Sequence, residues 1–389
     1  MNLSRSTLTL ALLAALVAPA AHAEIAIDSI ADSEVSFEGL IQADGYWYDS
    51  DFINLDSDVG DGSDADSAMR RAELVLKGKG PGNIEWVLGY DAKANKYLDA
   101  NLKYKLGGNS NNFIQAGQYK QPNSLEELSS TKNNDFISKA MITNTFAVAR
   151  RLGVGAGWGD NNWGITGSLF GDELTRNLAR GSGYGARGYW APINDKGSIL
   201  HLGLSYVNYN AEITNGTATL EDTARLRARP DADFSNRLID TGNLANTDKL
   251  STLGAEAFWV TGPFKLQGEY MKTNAQRTAG LDDFSSSGAY ISGLWNITGE
   301  TWGYKGGTPT TPLPDEPGRG MWQLGLRYDT LDLNDGLIQG GKLNTWTAGV
   351  NWYWRSNFKL MLDYVMADST KAGIDDNPNI LEARVQFYF

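Results

Sequence analysis

The sequence predicts an all-β protein: a transmembrane antiparallel β-barrel of about sixteen strands with a constriction loop folded into its channel. Three observations carry this expectation. Runs of ten or so residues alternate apolar and polar side chains, the period of a strand whose two faces meet different environments. Aromatic residues mark the ends of these runs, as in Tyr46-Trp47-Tyr48, Trp352 to Trp354 and Tyr388-Phe389, where a membrane-interface girdle needs them. The connections alternate between short turns and longer loops, as they do in outer-membrane barrels.

Taken in order, residues 1–23 carry Arg5, an apolar run from Leu8 to Ala18 and Ala21-His22-Ala23, the pattern of a cleaved secretory signal peptide. Residues 24–389 then read as a single barrel domain, because no linker divides them and no stretch approaches 18 consecutive apolar residues. Sixteen candidate strands run from 36–48 to 380–389. Their faces are explicit in ILHLGLSY, where Leu200, Leu202, Leu204 and Tyr206 oppose His201 and Ser205, and in MWQLGLRYD, where Trp322, Leu324, Leu326 and Tyr328 oppose Gln323, Arg327 and Asp329. The C-terminal LEARVQFYF sets Leu381, Ala383, Val385, Phe387 and Phe389 against Glu382, Arg384, Gln386 and Tyr388. A soluble sandwich buries such apolar faces in a core, whereas a barrel turns them to lipid and surrounds an aqueous channel with the polar ones. Short turns such as GPGN (80–83) and GDNN (159–162) alternate with longer loops, among them 49–68, 120–150, 211–248 and 332–341. The segment 299–318 breaks the rule, being a long connection on the short-turn side.

Composition excludes much chemistry. The chain has no Cys, and removal of the leader leaves His201 as its one histidine, so thiolate sites, disulfides and paired-histidine metal centres are not expected. GYGARG (183–188) satisfies a dinucleotide-binding pattern but runs into a strand and not a helix. DSDVGDGSDADS (56–67) lacks calcium-loop spacing, with Gly60 at the fifth ligand position and Ser67 in place of the closing Glu. Glu126-Glu127 and Asp282-Asp283 read as loop charge and not as paired catalytic acids. His201 reads as a polar group of the lumen. The expectation is a channel and not an enzyme, with no cofactor, no metal and no nucleic-acid partner.

The chain is acidic, with 46 Asp+Glu against 34 Lys+Arg, yet its basic residues collect where a lumen is expected. Loop 120–150 opens with Lys120 and closes on Arg150-Arg151; a loop of that length is expected to fold inward, partly as helix, and narrow the pore. Arg70 and Arg71 open a strand that continues through Lys77 and Lys79. Arg225, Arg227 and Arg229 share one edge of an extended segment in the longest loop, 211–248. The competing reading of all these residues is solvated loop charge without consequence.

The stretches MRRAELVLKGKGPGNIEWVLGYDAKAN, GYWAPINDKGSILHLGLSYVNYNAE, LGAEAFWVTGPFKLQGEYM and TAGVNWYWRSNFKLMLDYV, with the aromatic C-terminus, resemble the phosphate-selective porin O and P family of Gram-negative outer membranes. The resemblance implies a homotrimer of sixteen-stranded barrels in the bacterial outer membrane, set among its lipids and lipopolysaccharide, that passes inorganic phosphate, polyphosphate or other small anions. It further implies an anion-binding constriction in which Arg70 and Arg71 form the family's arginine pair, Lys132 is the lysine of the inward loop and Asp91 is the aspartate ending the third strand, with Lys120 at the same constriction. Arg225, Arg227 and Arg229 match its arginine ladder. Two positions depart from the family: Glu73, where an aromatic is expected, and Glu127, where a lysine is expected. Both are expected to modify selectivity, so a general or organic-anion porin stands as the alternative, with a soluble periplasmic carbohydrate-binding protein as a remoter one. Alternate side chains of an extended segment lie roughly 6.6–7 Å apart, so one guanidinium can pass an anion to the next. Conduction requires each such site to bind favourably but escapably.

Overall fold

The computed structural model describes residues 25–30, 33–56, 64–107, 111–175, 179–216 and 218–389. The leader, 1–23, and the centre of the acidic stretch, 57–63, lie outside them. Sixteen antiparallel strands each pair with their chain neighbours: β1 (Ser33–Asp49), β2 (Ala65–Lys79), β3 (Ile84–Asp91), β4 (Lys96–Lys105), β5 (Phe113–Lys120), β6 (Arg150–Gly159), β7 (Trp163–Phe170) and β8 (Gly183–Asp195). The series continues with β9 (Ser198–Asn210), β10 (Thr247–Thr261), β11 (Phe264–Arg277), β12 (Phe284–Asn296), β13 (Met321–Asp335), β14 (Ile338–Trp354), β15 (Phe358–Lys371) and β16 (Asn379–Tyr388). Pairing of β16 with β1, from Leu40↔Tyr388 to Asp49↔Asn379, closes the barrel and removes its free edges.

Side-chain alternation places the faces as expected. On β9, Leu202, Leu204 and Tyr206 are exposed while His201 and Ser205 are buried; on β13, Trp322, Leu324 and Leu326 are exposed while Gln323, Arg327 and Asp329 are buried. This inverts a soluble protein, as lipid contact requires. Outward aromatics form two belts, with Trp158, Trp190, Trp259 and Trp322 toward the short turns and Trp47, Tyr206, Tyr270 and Tyr364 toward the long loops.

Two expectations fail in detail. Only Trp47 of Tyr46-Trp47-Tyr48 joins a belt, because successive side chains on a strand face opposite ways: Tyr46 and Tyr48 are buried inside, and the Tyr46 hydroxyl donates to Asp44 at 2.6 Å. Tyr353 and Tyr388 likewise turn inward. Residues 332–341 are not a long loop either. β13 and β14 run on to a turn at Gly336-Leu337, because Leu331, Leu333 and Leu343 pack under Leu238, Ile239 and Leu244 of the loop 211–246, which gives the extended hairpin an apolar partner beyond the strands of the wall.

Three connections fold inward. The loop 121–149 carries α1 (Leu125–Leu128), a 3-10 turn at Thr131–Asn133 and α2 (Met141–Phe146), and it is pinned to one wall. Backbone N–H groups of Leu125 and Glu126 donate to Glu269 at 2.9 and 2.8 Å, Ile137 to Asp363 at 2.7 Å and Met141 to Asp329 at 2.6 Å. In return Lys359, Arg384 and Arg327 donate to the carbonyls of Asn134, Ile137 and Ser138 at 2.6, 2.7 and 3.0 Å. The long connection 297–320 also enters the lumen, with Trp302 buried beside Leu125 and Phe258, and with the Thr311 hydroxyl donating to the Asn133 carbonyl at 3.2 Å. The loop 211–246 crosses the mouth. Together these pieces fill the lumen along β9–β16 and leave it open along β1–β6.

Candidate functional site: the channel constriction

The open side is a cavity of about 400 Å³ bounded by β1–β6, the loop 121–149 and the C-terminus. Its charged lining has four carboxylates and five cations. Every carboxylate is engaged: Glu38 with Lys77 at 2.6 Å, Glu73 with Arg71 at 3.0 Å, Glu85 with Lys105 at 2.5 Å and Asp99 with Arg150 at 2.9 Å. Three lysines form no salt bridge among the described residues. Lys103 Nζ lies 4.4 Å from the centre of the Phe113 ring, and Lys132 Nζ lies 5.7 Å from that of Tyr388. Lys120 donates to the carbonyls of Glu127 and Ser129 at 2.5 and 2.8 Å, tying the start of the loop to the foot of α1. Lys103 was missed at the level of sequence, although its alternation with the exposed Leu102 and Tyr104 points it inward.

The arginine pair depends on a bulge. Between β1 and β2 the register runs Gln42↔Arg71 and then Ala43↔Met69, so Arg70 has no residue opposite it. The extra residue puts two neighbours, which a regular strand would send to opposite faces, on the lumen side together. Each already holds a carboxylate. Arg70 meets Asp233 of the long loop, with Nε and Nη2 at 2.9 and 2.8 Å from the same oxygen, and Arg71 meets Glu73.

Asp91 is placed differently from the expected constriction role. It is buried, and one carboxylate oxygen accepts from the backbone N–H groups of Ala72, Lys93 and Ala94 at 3.3, 3.0 and 3.2 Å, so it shapes the turn after β3. Glu127 is not in the cavity lining either. Its carboxylate is buried against Lys139. Burial pushes this carboxyl upward, but Lys139 and Lys120 outweigh it and hold it down at about 2. Of the two acidic departures only Glu73 faces the cavity.

In the long loop the arginine edge is extended as expected. Arg225 and Arg227 are exposed and Arg229 half-buried, while Ala224, Leu226 and Ala228 between them are buried. Arg225 is paired with Asp240, its Nη2 at 2.5 Å, and Arg229 Nε donates to the Ser235 carbonyl at 2.6 Å. A fourth arginine, Arg237, joins this edge from the return arm of the hairpin, where Ala228 pairs with Ile239. Burial first, then the adjacent charges of Arg229 and Arg227, lowers its guanidinium to about 10. Linear spacing hides Arg237, since only the hairpin brings it near Arg229. GYGARG lies within β8, where Arg187 pairs with Glu256 at 2.5 Å, and His201 is buried between the same Glu256 and Tyr304, at 3.0 and 2.9 Å.

A closed barrel of sixteen strands, an inward loop and basic residues at its narrowing agree with the family comparison, in which the model described as phosphate-selective porin O and P matches residues 41–389. The chain belongs to that family. Porin O of Pseudomonas aeruginosa is 25% identical over 401 residues, covering 92% of this chain and 89% of that protein. An uncharacterised protein of Caulobacter vibrioides is 30% identical over 359 residues, 87% of this chain and 69% of its own length. Among solved structures, an anion-selective porin from Comamonas acidovorans superposes with a TM-score of 0.58 at 13% identity, covering 92% of this chain and all of that one. The outer membrane channel DcaP of Acinetobacter baumannii gives 0.58 at 13% identity, with 94% and 99% coverage. These neighbours share the fold. The protein is an outer membrane porin.

Proposed function

We propose that this porin is a passive, anion-preferring channel whose path runs along β1–β6, and that phosphate or other small anions are its cargo. One observation carries the reading: the four side-chain carboxylates lining the cavity are all paired, whereas Lys103 and Lys132 form no ion pair with a carboxylate among the described residues. A protein with a formal net charge of -12 therefore presents positive charge without a paired carboxylate to its open cavity. Low-dielectric walls focus that field and raise the local concentration of anions. Arg227, Arg229 and Arg237 at the mouth extend the same field outward, and Arg70 and Arg71 stand between mouth and cavity. Nothing in this path needs a bond to be made or broken; the work is capture and release. Assembly as a homotrimer, the state named for one form of OmpT of Vibrio cholerae, belongs to the same proposal.

The test is the reversal potential of the purified protein in planar bilayers under a potassium chloride gradient, repeated with potassium phosphate. A potential on the anion side in chloride supports the reading, and a cation-side or zero potential overturns it. Additional block of chloride current by millimolar phosphate would identify phosphate as cargo. Its absence would favour the general anion porin that Glu73 suggests.

A further inference from the structure

The segment Asp231 to Ser235 is pegged across the channel mouth. Asp231 reaches the wall, where its carboxylate accepts from the Thr345 hydroxyl at 2.6 Å and lies 3.1 Å from Arg327. The Asp233 backbone N–H donates to the Ser138 hydroxyl of the inward loop at 3.1 Å, and the Phe234 ring lies 4.9 Å from that of Tyr46. These contacts fix the backbone and aim the Asp233 side chain at β2, where it takes Arg70. About a fifth of the Asp233 side chain and a quarter of Arg70 stay exposed, so the pair faces solvent and not a sealed core.

We propose that Asp233 is a specificity-determining residue: a tethered counter-anion that occupies Arg70 and competes with any permeant oxyanion for it. This rests on the anion-channel reading above. Both N–H groups that Arg70 spends on Asp233 are those that a phosphate oxygen would need. Arg71 gives Nη1 to Glu73, so an entering oxyanion finds each member of the pair already holding a carboxylate of the chain. The competitor is always charged: burial raises the Asp233 carboxyl, but Arg70 and Arg384 outweigh it and hold it down at about 2. Because it is tethered, its effective concentration at Arg70 is set by the loop and not by the medium. A dianion such as hydrogen phosphate is repelled by both carboxylates at full strength, whereas chloride feels half as much. The consequence is a channel that passes anions freely and holds phosphate weakly.

The deciding experiment is phosphate block of single-channel chloride current for the full-length protein and for Asp233→Asn, Arg70→Ala and the two combined, each checked for the heat-modifiable folded form. The Asn variant should lower the half-blocking phosphate concentration about tenfold, the effect of one nearby charge in a partly screened site. In the Arg70→Ala background the same change should lower it by only about threefold, through loss of an unpaired negative charge, because the guanidinium that Asp233 occupies is gone. Unchanged block in Asp233→Asn, with an anion-side reversal potential retained, overturns the counter-anion while leaving the channel reading intact. A cation-side potential in the unmodified protein removes the channel reading itself. If Asp233→Asn raises chloride conductance at 1 M salt equally in both backgrounds, the residue only holds the loop in place, and the proposal fails. Should the Asn variant not fold, Asp233→Ser provides the same comparison.

Discussion

The two walls of the lumen use charge in opposite ways. Along β9–β16 charges are buried and cross-linked: Arg327 lies among Asp231, Glu126 and Asp329, and Arg384 is bound to Asp44 at 2.6 Å, both guanidiniums also donating to the inward loop. Along β1–β6 the ion pairs are partly exposed, and Lys103 and Lys132 form no ion pair with a carboxylate among the described residues. A buried lattice tolerates little rearrangement, because removal of one member strands its partners in a medium that solvates them poorly. The exposed wall can exchange its counter-ions with solution. Charge on the first wall positions the loop, and charge on the second faces the open cavity. A count of charges alone would not separate these roles; burial does.

The largest effect that would break this contrast is expected from Arg327→Ala. Loss of a buried cation with several partners should cost about 3–5 kcal/mol and release the Ser138 carbonyl. A clear fall in the temperature at which the folded form disappears from gels is expected, together with noisier channels. An unchanged melting temperature would mean that the lattice does not hold the loop. Next in size, Arg70→Ala with Arg71→Ala should do more than remove anion preference. It frees Glu73 and Asp233 as unpaired carboxylates, so the reversal potential should pass through zero to the cation side. A loss of preference without that crossing would show that these pairs do not govern the mouth. Lys103→Ala with Lys132→Ala is a milder version, expected to weaken the preference without inverting it because the carboxylates of the cavity stay paired.

At the mouth, Arg227→Gln with Arg237→Gln should reduce chloride conductance about twofold at 50 mM salt and little at 1 M, where the screening length falls to roughly 3 Å. Equal losses at both salts would make these residues structural. The smallest effect is expected from Glu127→Gln, which faces Lys139 and not the cavity. Ion selectivity should stay as it is, while hydrogen exchange in 121–149 should quicken slightly. With a folded value near 2, the stabilisation by Glu127 is complete above its unfolded value of about 4.3 and is lost as pH falls toward 2. The difference between variant and parent should therefore close over that window.

The strands and their faces were legible because alternation is a local property, set by neighbours two residues apart, and so were the inward direction of 121–149 and the arginine edge of the longest loop. What the sequence hid was long-range. Tyr46 and Tyr48 look like girdle residues until strand geometry sends them to the face opposite Trp47. Asp233 and Arg237 are unremarkable loop charges until a hairpin and a crossing bring them to Arg70 and Arg229. The residues 332–341 look like a loop because the apolar partner that keeps them paired lies some hundred positions earlier. Asp91 looks like a pore acid because nothing local shows that three backbone N–H groups have claimed it.

The seam between β1 and β16 bears on how the molecule forms. Gln42 Nε2 donates to Gln386 at 2.6 Å across a separation of 344 residues, and the last residue, Phe389, exchanges backbone hydrogen bonds with Gly39, where a Cβ would lie 2.3 Å from its ring. Contacts this remote in sequence form late, after the entropy of gathering the chain has been met. Arg384 sits on that closing strand and also donates to Ile137 of the inward loop, so docking of the loop and closure of the ring are linked at one side chain. Until β16 arrives, the chain is an open sheet with an unanchored loop; the constriction is therefore completed in the same late step that seals the cylinder.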